Sequence, residues 1–186
     1  MGIRIEPLSE VRLMEAVDLV NLVFPPETQR GELSHLELGA SLDSERYADY
    51  LRSAHTIDTR YWLGIEEEVG RVVGTTGLYH PDGDYEFRQF LPKRDGPDGP
   101  DVWLGYFCVH PDSRGRGTGS KLLDFSVEEA RGGNHDHLRL YTSNNPIFDA
   151  SQQLYDKMGL VIVNQFSVPG YPYDIMIREK RLIRTF

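Results

Sequence analysis

The chain has 186 residues, of which 39% are hydrophobic and 26% are charged, and its formal net charge is −9. This length and composition are typical of one soluble globular domain with its own core. The acidic balance argues against bulk binding of nucleic acid, which needs a basic face, and it weakly favours small cationic partners.

The single cysteine, Cys108, excludes an intramolecular disulfide and a cysteine-based metal site. No run of about 18 apolar residues is present, so we predict no membrane span. The first residues lack the apolar core of a secretion signal, and we therefore expect a cytoplasmic protein.

The first half of the chain shows patterns of strands and helices. Alternating apolar and polar residues predict strands over residues 2–6, 61–66 and 71–79, the last two forming an antiparallel hairpin. Apolar stripes at helical spacing predict helices over residues 10–24 and 41–54. Residues 27–40, between these helices, give only a weak pattern.

The second half predicts four more strands and two helices. The strands cover residues 102–109, 137–142, 160–167 and 173–178, and the helices cover 120–131 and 149–158. Residues 80–101 are rich in Pro, Gly and Asp but carry several aromatic residues. Long loops in compact domains tend to be functional or disordered, and the aromatic residues favour a packed flap over a disordered linker.

A glycine-rich turn separates the strand ending at Val109 from the helix beginning at Ser120. Glycines let the backbone approach a ligand, and the N–H groups at a helix start attract negative charge. A Walker loop would need Gly-Lys-Ser/Thr, but Gly119 is followed by Ser120 and Lys121. A Rossmann turn would need a third glycine where Ser120 stands. The glycines alone also leave open a turn without a ligand.

Two motifs together resemble the GCN5-related N-acetyltransferases, the GNAT family. Val109-x-Pro111-x-x-Arg114-x-x-Gly117-x-Gly119-x-x-Leu122-Leu123 resembles the family's acetyl-CoA-binding signature, Arg/Gln-x-x-Gly-x-Gly/Ala between a strand and a helix. Leu154-Tyr155-Asp156-Lys157-Met158-Gly159-Leu160 resembles the family's later helix end, Leu-Tyr-x-x-x-Gly-Phe. The close resemblance covers about residues 102–166.

The resemblance implies a single α/β domain over residues 1–186, with a mixed, mostly antiparallel, twisted sheet and helices on both faces. It implies direct transfer of an acetyl group from acetyl-CoA, a cosubstrate, to a primary amine of a small molecule or protein in a ternary complex. No metal is expected. About residues 25–55 and 79–101 would form the acceptor side. The expected partner is an amine, with no nucleic acid and no membrane, and a homodimer is left open.

The resemblance assigns acetyl-CoA to the glycine turn and the strand before it. Backbone N–H groups and the helix dipole would hold the pyrophosphate, and the pantetheine arm would lie along the strand. Where the family often has a cofactor-binding asparagine, this chain has Phe148, so Asn144 is the expected substitute. The predicted cofactor-binding residues are Phe107, Cys108, Val109, Arg114, Gly115, Arg116, Gly117, Thr118, Gly119, Ser120, Asn144 and Ser151.

Two catalytic roles follow from the resemblance. Tyr155 matches the general-acid tyrosine that protonates the departing CoA thiolate. The backbone N–H of Val109 matches the donor to the thioester carbonyl. Cys108 as a covalent nucleophile is a weaker hypothesis, because a cysteine inside a strand is more often a small core residue.

The general base is the open question, because Trp103 stands where some family members have a glutamate. Asp101, two residues earlier on the same face of the strand, and Glu86, in the flap, are the candidates. His80 and Tyr79 are further alternatives. The missing glutamate also leaves open a non-catalytic acyl-CoA-binding or sensor module of the same fold.

Overall fold

The structure, a computed structural model, describes residues 2–24, 29–82, 84, 86–91 and 101–182, and of residues 29–32 and 88 it describes only the backbone. The described strands are β1 (Ile3–Pro7), β2 (Thr56–Glu66), β3 (Val72–Pro81), β4 (Asp101–Leu104), β5 (Cys108–Val109), β6 (His137–Ser143), β7 (Val161–Phe166) and β8 (Ile175–Arg181). The described helices are α1 (Leu13–Val23), α2 (Gln29–Ala40), α3 (Ala48–Ser53), α4 (Thr118–Gly132) and α5 (Asp149–Lys157).

The eight strands form one sheet in the order β1-β2-β3-β4-β6-β8-β7, with β5 paired to β3 beyond the end of β4. The β4–β6 pair is parallel, and every other pair is antiparallel. Helices α1 and α2 cover one face of the sheet through one apolar cluster, and α4 and α5 cover the other face through a second cluster. The predicted mixed, mostly antiparallel α/β fold is confirmed.

The largest difference from the sequence prediction lies between α1 and β2. The weak region 27–40 contains α2, whereas the helix predicted over 41–54 is reduced to α3. Tertiary contacts stabilise α2: Leu38 is fully buried, and the Ser34 hydroxyl donates to the side-chain carbonyl of Asn21 on α1 at 2.8 Å. Gly39 leaves room for the Tyr47 ring, which a Cβ at that position would contact.

The described part of the predicted flap is packed. Residues Glu86–Phe90 form a short 3-10 helix, and the Phe87 ring lies 4.4 Å from the Tyr141 ring on β6. The Phe90 ring stacks on Phe166 of β7 at 3.7 Å. Residues 83, 85 and 92–100 of the predicted flap lie outside the described residues. The short helix therefore covers the β6–β8–β7 side of the face that carries α1 and α2.

Candidate functional site

The sheet opens into a wedge between β4 and β6. The two strands pair only over Asp101↔His137, Val102↔Leu138 and Trp103↔Arg139. Beyond that point β5 pairs with β3, while β6 continues to Ser143 paired with β8. The wedge is a gap at the centre of the sheet whose edges carry backbone groups that a linear ligand can pair with.

A β-bulge marks the point where the wedge opens. Leu104 pairs with Leu78 and Cys108 pairs with Thr75, so β3 advances three residues while the segment from β4 to β5 advances four. This extra residue divides the predicted strand 102–109 into β4 and β5. At the bulge the Gly105 N–H still donates to Gly77 O at 2.8 Å, whereas the N–H and C=O of Tyr106 bond to the hydroxyls of Tyr61 and Thr75, each at 2.8 Å, instead of to strand backbone.

Val109 is the residue whose backbone N–H is predicted to donate a hydrogen bond to the thioester carbonyl. Its backbone is turned toward the wedge. The N–H of His110 donates to Val73 O at 2.9 Å, and Val109 itself lies opposite Gly74. Hydrogen-bonded pairs alternate along an antiparallel ladder, so the N–H and C=O of Val109 point away from β3. Its carbonyl accepts a hydrogen bond from Nε of Arg114 at 3.1 Å. A ligand in the wedge can reach the N–H.

The glycine turn above the wedge has the geometry of an anion cradle. Gly115 and Gly117 have φ values of +71° and +83°, and no atom lies within 4 Å of a Cβ built on either residue. Gly117 precedes α4, whose first turn carries no acidic residue, and its carbonyl accepts the helix's first hydrogen bond, from the N–H of Lys121. The N–H groups of residues 118–120 therefore precede the first hydrogen bond of the helix.

The two motifs that carried the family resemblance meet at Gly119. A Cβ there would lie 3.3 Å from Leu154 Cδ2 and 3.7 Å from Phe107 Cζ. Glycine at this position therefore lets α5 approach the start of α4 closely. Arg114 and Arg116 are both exposed at the cradle, beside these contacts.

Tyr155, the predicted general acid, is buried on α5 next to the wedge. Its ring lies 6.1 Å from the Phe107 ring, and Phe107 belongs to the bulge segment. The Arg178 guanidinium carbon lies 5.8 Å from the Tyr155 ring centre on another side. The tyrosine is thus held between a wedge residue and a buried cation.

Arg178 of β8 anchors α5, and the sequence analysis did not identify it. Its Nε donates to Gln152 Oε1 at 2.8 Å, and its Nη1 donates to Asp156 Oδ1 at 2.6 Å and to the carbonyl of Leu160 at 2.8 Å. The side chain is only 3% exposed. The first two contacts fix α5, which carries Tyr155, against the sheet, and the third holds the turn that follows the helix.

Asn144 and Ser151, also predicted to bind the cofactor, lie near the open end of β6. The side-chain oxygen of Asn144 accepts a hydrogen bond from the N–H of Asp174 at 2.9 Å, which ties it to the start of β8. Ser151 is half-buried on α5, one turn before Tyr155. Asn144 is thus engaged in a local structural contact, and the role of Ser151 stays a prediction.

The two candidate bases lie away from the bulge. Asp101 is at the start of β4, where the sheet is closed, and its carboxylate forms an ion pair with the buried Arg139 and lies 3.2 Å from Nδ1 of His137. Arg139 also pairs with Glu179 at 2.8 Å. Glu86 is exposed at the start of the flap helix. The geometry therefore favours a structural role for Asp101.

Trp103 and its neighbours form an aromatic floor on the face that carries α1 and α2. The indole is 1% exposed and lies 6.4 Å from the Tyr79 ring and 6.5 Å from the Phe87 ring. It occupies the last paired position of β4 before the wedge opens. Trp103, which stands where some members of the resembled family have a glutamate, thus closes the point of the wedge with apolar surface.

A carboxylate that the sequence analysis missed lies above the bulge. Glu37 of α2 accepts hydrogen bonds from the hydroxyls of Tyr61 and Tyr50, the latter at 3.2 Å. The Tyr61 hydroxyl in turn accepts from the N–H of Tyr106 at 2.8 Å. A Cβ at Gly105 would lie 3.4 Å from Glu37 Oε1. This group stands on the aromatic face, over the backbone that opens the wedge.

The Tyr61 ring packs directly against Gly77, and a substitution at Gly77 tests this packing. A Cβ at Gly77 would overlap that ring, so Gly77→Ala is expected to lower the free energy of unfolding by about 1–3 kcal/mol through overpacking. Gly132→Ala is the matched control, because no atom lies within 4 Å of its Cβ, and we expect a change below about 1 kcal/mol. Urea unfolding of both variants measures the difference, and equal stabilities would contradict the packing argument.

Cys108 has the environment of a core residue. Its side chain is 3% exposed, and its sulfur lies 3.4 Å from the Thr75 hydroxyl. Burial raises the pKa of the thiol from 9.0 to about 11, which lowers the thiolate fraction about a hundredfold at pH 8. This protonation state argues against a covalent acetyl-enzyme.

We expect Cys108 to react with a disulfide reagent at pH 8 at least tenfold more slowly in the folded protein than in urea, because both burial and protonation protect it. Colour release from an aromatic disulfide measures the rate. Cys108→Ser is expected to keep the catalytic activity within a few-fold. Rapid labelling of the folded protein, with loss of activity, would restore the nucleophile hypothesis.

Within the described residues, no three or more His, Cys, Asp or Glu side chains are grouped so that they could hold a metal ion. Across the same part of the chain, no helix combines the length and apolar character needed to cross a membrane.

Comparisons with known proteins agree with this geometry. The family model described as "Acetyltransferase (GNAT) family" matches residues 25–160. No curated protein matches the chain in sequence.

Several solved structures share the fold. A GNAT-family acetyltransferase from Desulfovibrio desulfuricans superposes with a TM-score of 0.67 at 14% identity, covering 98% of this chain and 100% of that one. A GNAT-family acetyltransferase from Staphylococcus aureus superposes with a TM-score of 0.64 at 20% identity, covering 98% of this chain and 100% of that one. An aminoglycoside 6'-N-acetyltransferase complexed with coenzyme A superposes with a TM-score of 0.66 at 15% identity, and 98% of each chain is covered.

Proposed function

Because the chain belongs to the GNAT acetyltransferase family, we propose that it transfers an acetyl group from acetyl-CoA to a primary amine, of a small molecule or a protein, by direct attack in a ternary complex. The observation that carries the proposal is the wedge at the centre of the sheet with the glycine cradle at its open end. Neither feature is needed for a stable sheet, and together they match a long, anionic, amide-bearing ligand.

The residues of the cradle fit the diphosphate of CoA. The left-handed glycines Gly115 and Gly117 turn the backbone without placing side chains above it, and α4 begins with N–H groups that precede its first hydrogen bond. Arg114 and Arg116 add positive charge to a chain with a net charge of −9. These groups would hold the diphosphate by backbone donors, the helix dipole and at least one guanidinium.

The wedge fits the pantetheine arm. The N–H and C=O of Val109 face the gap, so an extended amide chain could pair there as an added strand. Bound acetyl-CoA supplies the thioester. The Val109 N–H would donate to the thioester oxygen as negative charge develops on it, and a fixed donor of this kind lowers the barrier.

Tyr155 would supply the proton that the departing thiolate takes. Its position beside Phe107 places it next to the bulge, and the anchoring of α5 by Arg178 restricts its movement. A positioned general acid contributes about 10²–10⁴ in rate. The phenol then regains a proton from solvent.

The test of this proposal combines binding and turnover. Acetyl-CoA at about 100 Kd is expected to stabilise the protein by about 2.7 kcal/mol, measured by thermal unfolding. Amine-dependent thiol release is then measured with n-butylamine, a linear polyamine, an aminoglycoside and a lysine-containing peptide. Stabilisation with no turnover of any amine would favour the non-catalytic acyl-CoA-binding module. The absence of stabilisation would refute the cofactor site itself.

A further inference from the structure

Glu37 lies across the sheet from the residues predicted to bind the cofactor. Cofactor residues on α4 and α5 lie on one face of the sheet, and Glu37 on α2 lies on the other, above Gly105 of the bulge. The wedge connects the two faces, because β5 and β6 do not pair. A nucleophile entering from the α2 side would therefore meet Glu37 before it reaches the backbone of Val109.

Aromatic residues surround this carboxylate. Tyr61 and Tyr106 are buried, with ring centres 6.3 Å apart, and Tyr50 is half-buried on α3. A carboxylate among tyrosine rings binds an ammonium ion by a charge-assisted hydrogen bond and by cation–π attraction.

The tyrosines act as donors toward Glu37. Burial raises the pKa values of Tyr50 and Tyr61 well above the ordinary value of 10.0, and the negative charge of Glu37 raises them further. Both phenols therefore stay protonated at neutral pH. Neither tyrosine can therefore serve as the base. A carboxylate offers about four acceptor sites, so it can hold phenol donors and an ammonium donor together.

We infer that Glu37 binds the acceptor amine as its ammonium ion, in a site walled by Tyr50, Tyr61 and Tyr106, and accepts the proton that the amine must lose before attack. This inference rests on the proposed acetyl transfer. It names the acceptor class as an alkyl amine that is cationic at neutral pH. It also places the base on α2 and not on β4, where Trp103 stands.

The proton balance of the reaction is complete with these residues. Glu37 takes one proton from the ammonium, the C–N bond forms as the C–S bond breaks, and the thiolate takes a proton from Tyr155. The second nitrogen proton passes to water, which returns one to Tyr155, and Glu37 releases its proton to solvent. The net reaction turns an ammonium ion and a thioester into an amide, a thiol and one free proton.

The decisive experiment compares two amines on Glu37→Gln. The first is the cationic amine of the panel that wild type uses best, and the second is 2,2,2-trifluoroethylamine, which is neutral at pH 7 because its fluorines lower its pKa. Glu37→Gln is expected to lower kcat/KM at least tenfold for the cationic amine and less than threefold for the neutral one. Glu68→Gln, at the exposed β2–β3 turn, is the matched control, and it should leave kcat/KM unchanged for both amines.

The outcomes separate this inference from the proposed function. If wild type and Glu37→Gln use the cationic amine equally well, or if wild type binds acetyl-CoA and uses no cationic amine, the inference is wrong. If acetyl-CoA does not bind to wild type, the proposed function fails instead. Should Glu37→Gln not fold, n-butyltrimethylammonium must compete with the amine on wild type, and a lack of competition overturns the inference.

Discussion

Gly117→Trp is expected to abolish the thermal stabilisation that acetyl-CoA gives the wild-type protein. Gly117 has φ +83° and immediately precedes α4, and no atom lies within 4 Å of a Cβ built on it. An indole there would occupy the space above the helix N–H groups and would strain the left-handed backbone. The expected gain of about 2.7 kcal/mol at about 100 Kd should therefore fall to near zero.

Gly70→Trp provides the matched control for backbone strain. Gly70 has φ +69° in the β2–β3 turn and likewise has no atom within 4 Å of a Cβ. Both variants are expected to lose similar stability without ligand, but only Gly117→Trp should lose the response to acetyl-CoA. An unchanged response in Gly117→Trp would show that the diphosphate binds elsewhere and that the cradle is misassigned.

The cradle and α5 could be predicted from the sequence because their signals are local. The alternating glycines end at the first residues of a helix, and the tyrosine and glycine that mark the end of α5 lie four residues apart. Each pattern depends on backbone conformation within one short segment. Hydrophobic periodicity predicted most of the strands and helices for the same reason, but it missed α2 and the division of residues 102–109 into β4 and β5.

The sequence predicted an acceptor side only as the broad segments 25–55 and 79–101, and it could not single out Glu37, because the contacts of this residue join distant segments. Glu37 and Tyr61 are 24 residues apart in sequence, and they meet only because α2 packs against α1 and β2 in the folded protein. The bulge could not be recognised in the sequence because residues 102–109 form one apolar run. An extra residue within such a run does not change the hydrophobic pattern. Arg178 reaches Asp156, 22 residues earlier, only because β8 lies under α5.

Tyr155→Phe is expected to lower kcat about 10²–10³-fold while the affinity for acetyl-CoA stays within a few-fold of wild type. The change removes only the hydroxyl. The ring contacts with Phe107 and with the Arg178 guanidinium are kept, so α5 and the wedge should retain their packing. Thiol release under saturating amine measures kcat, and thermal unfolding with acetyl-CoA measures binding.

A structural role for Tyr155 predicts a different result, because phenylalanine preserves the buried surface that packing requires. If Tyr155 only packs, Tyr155→Phe should keep nearly full activity, and that result would overturn its assignment as the acid. Tyr47→Phe, which removes a hydroxyl beside Gly39 of α2, is the matched control and should leave kcat within about twofold. A large loss in Tyr155→Phe with intact acetyl-CoA binding would place the hydroxyl at the thiolate, since the departing sulfur is the group that needs a proton there.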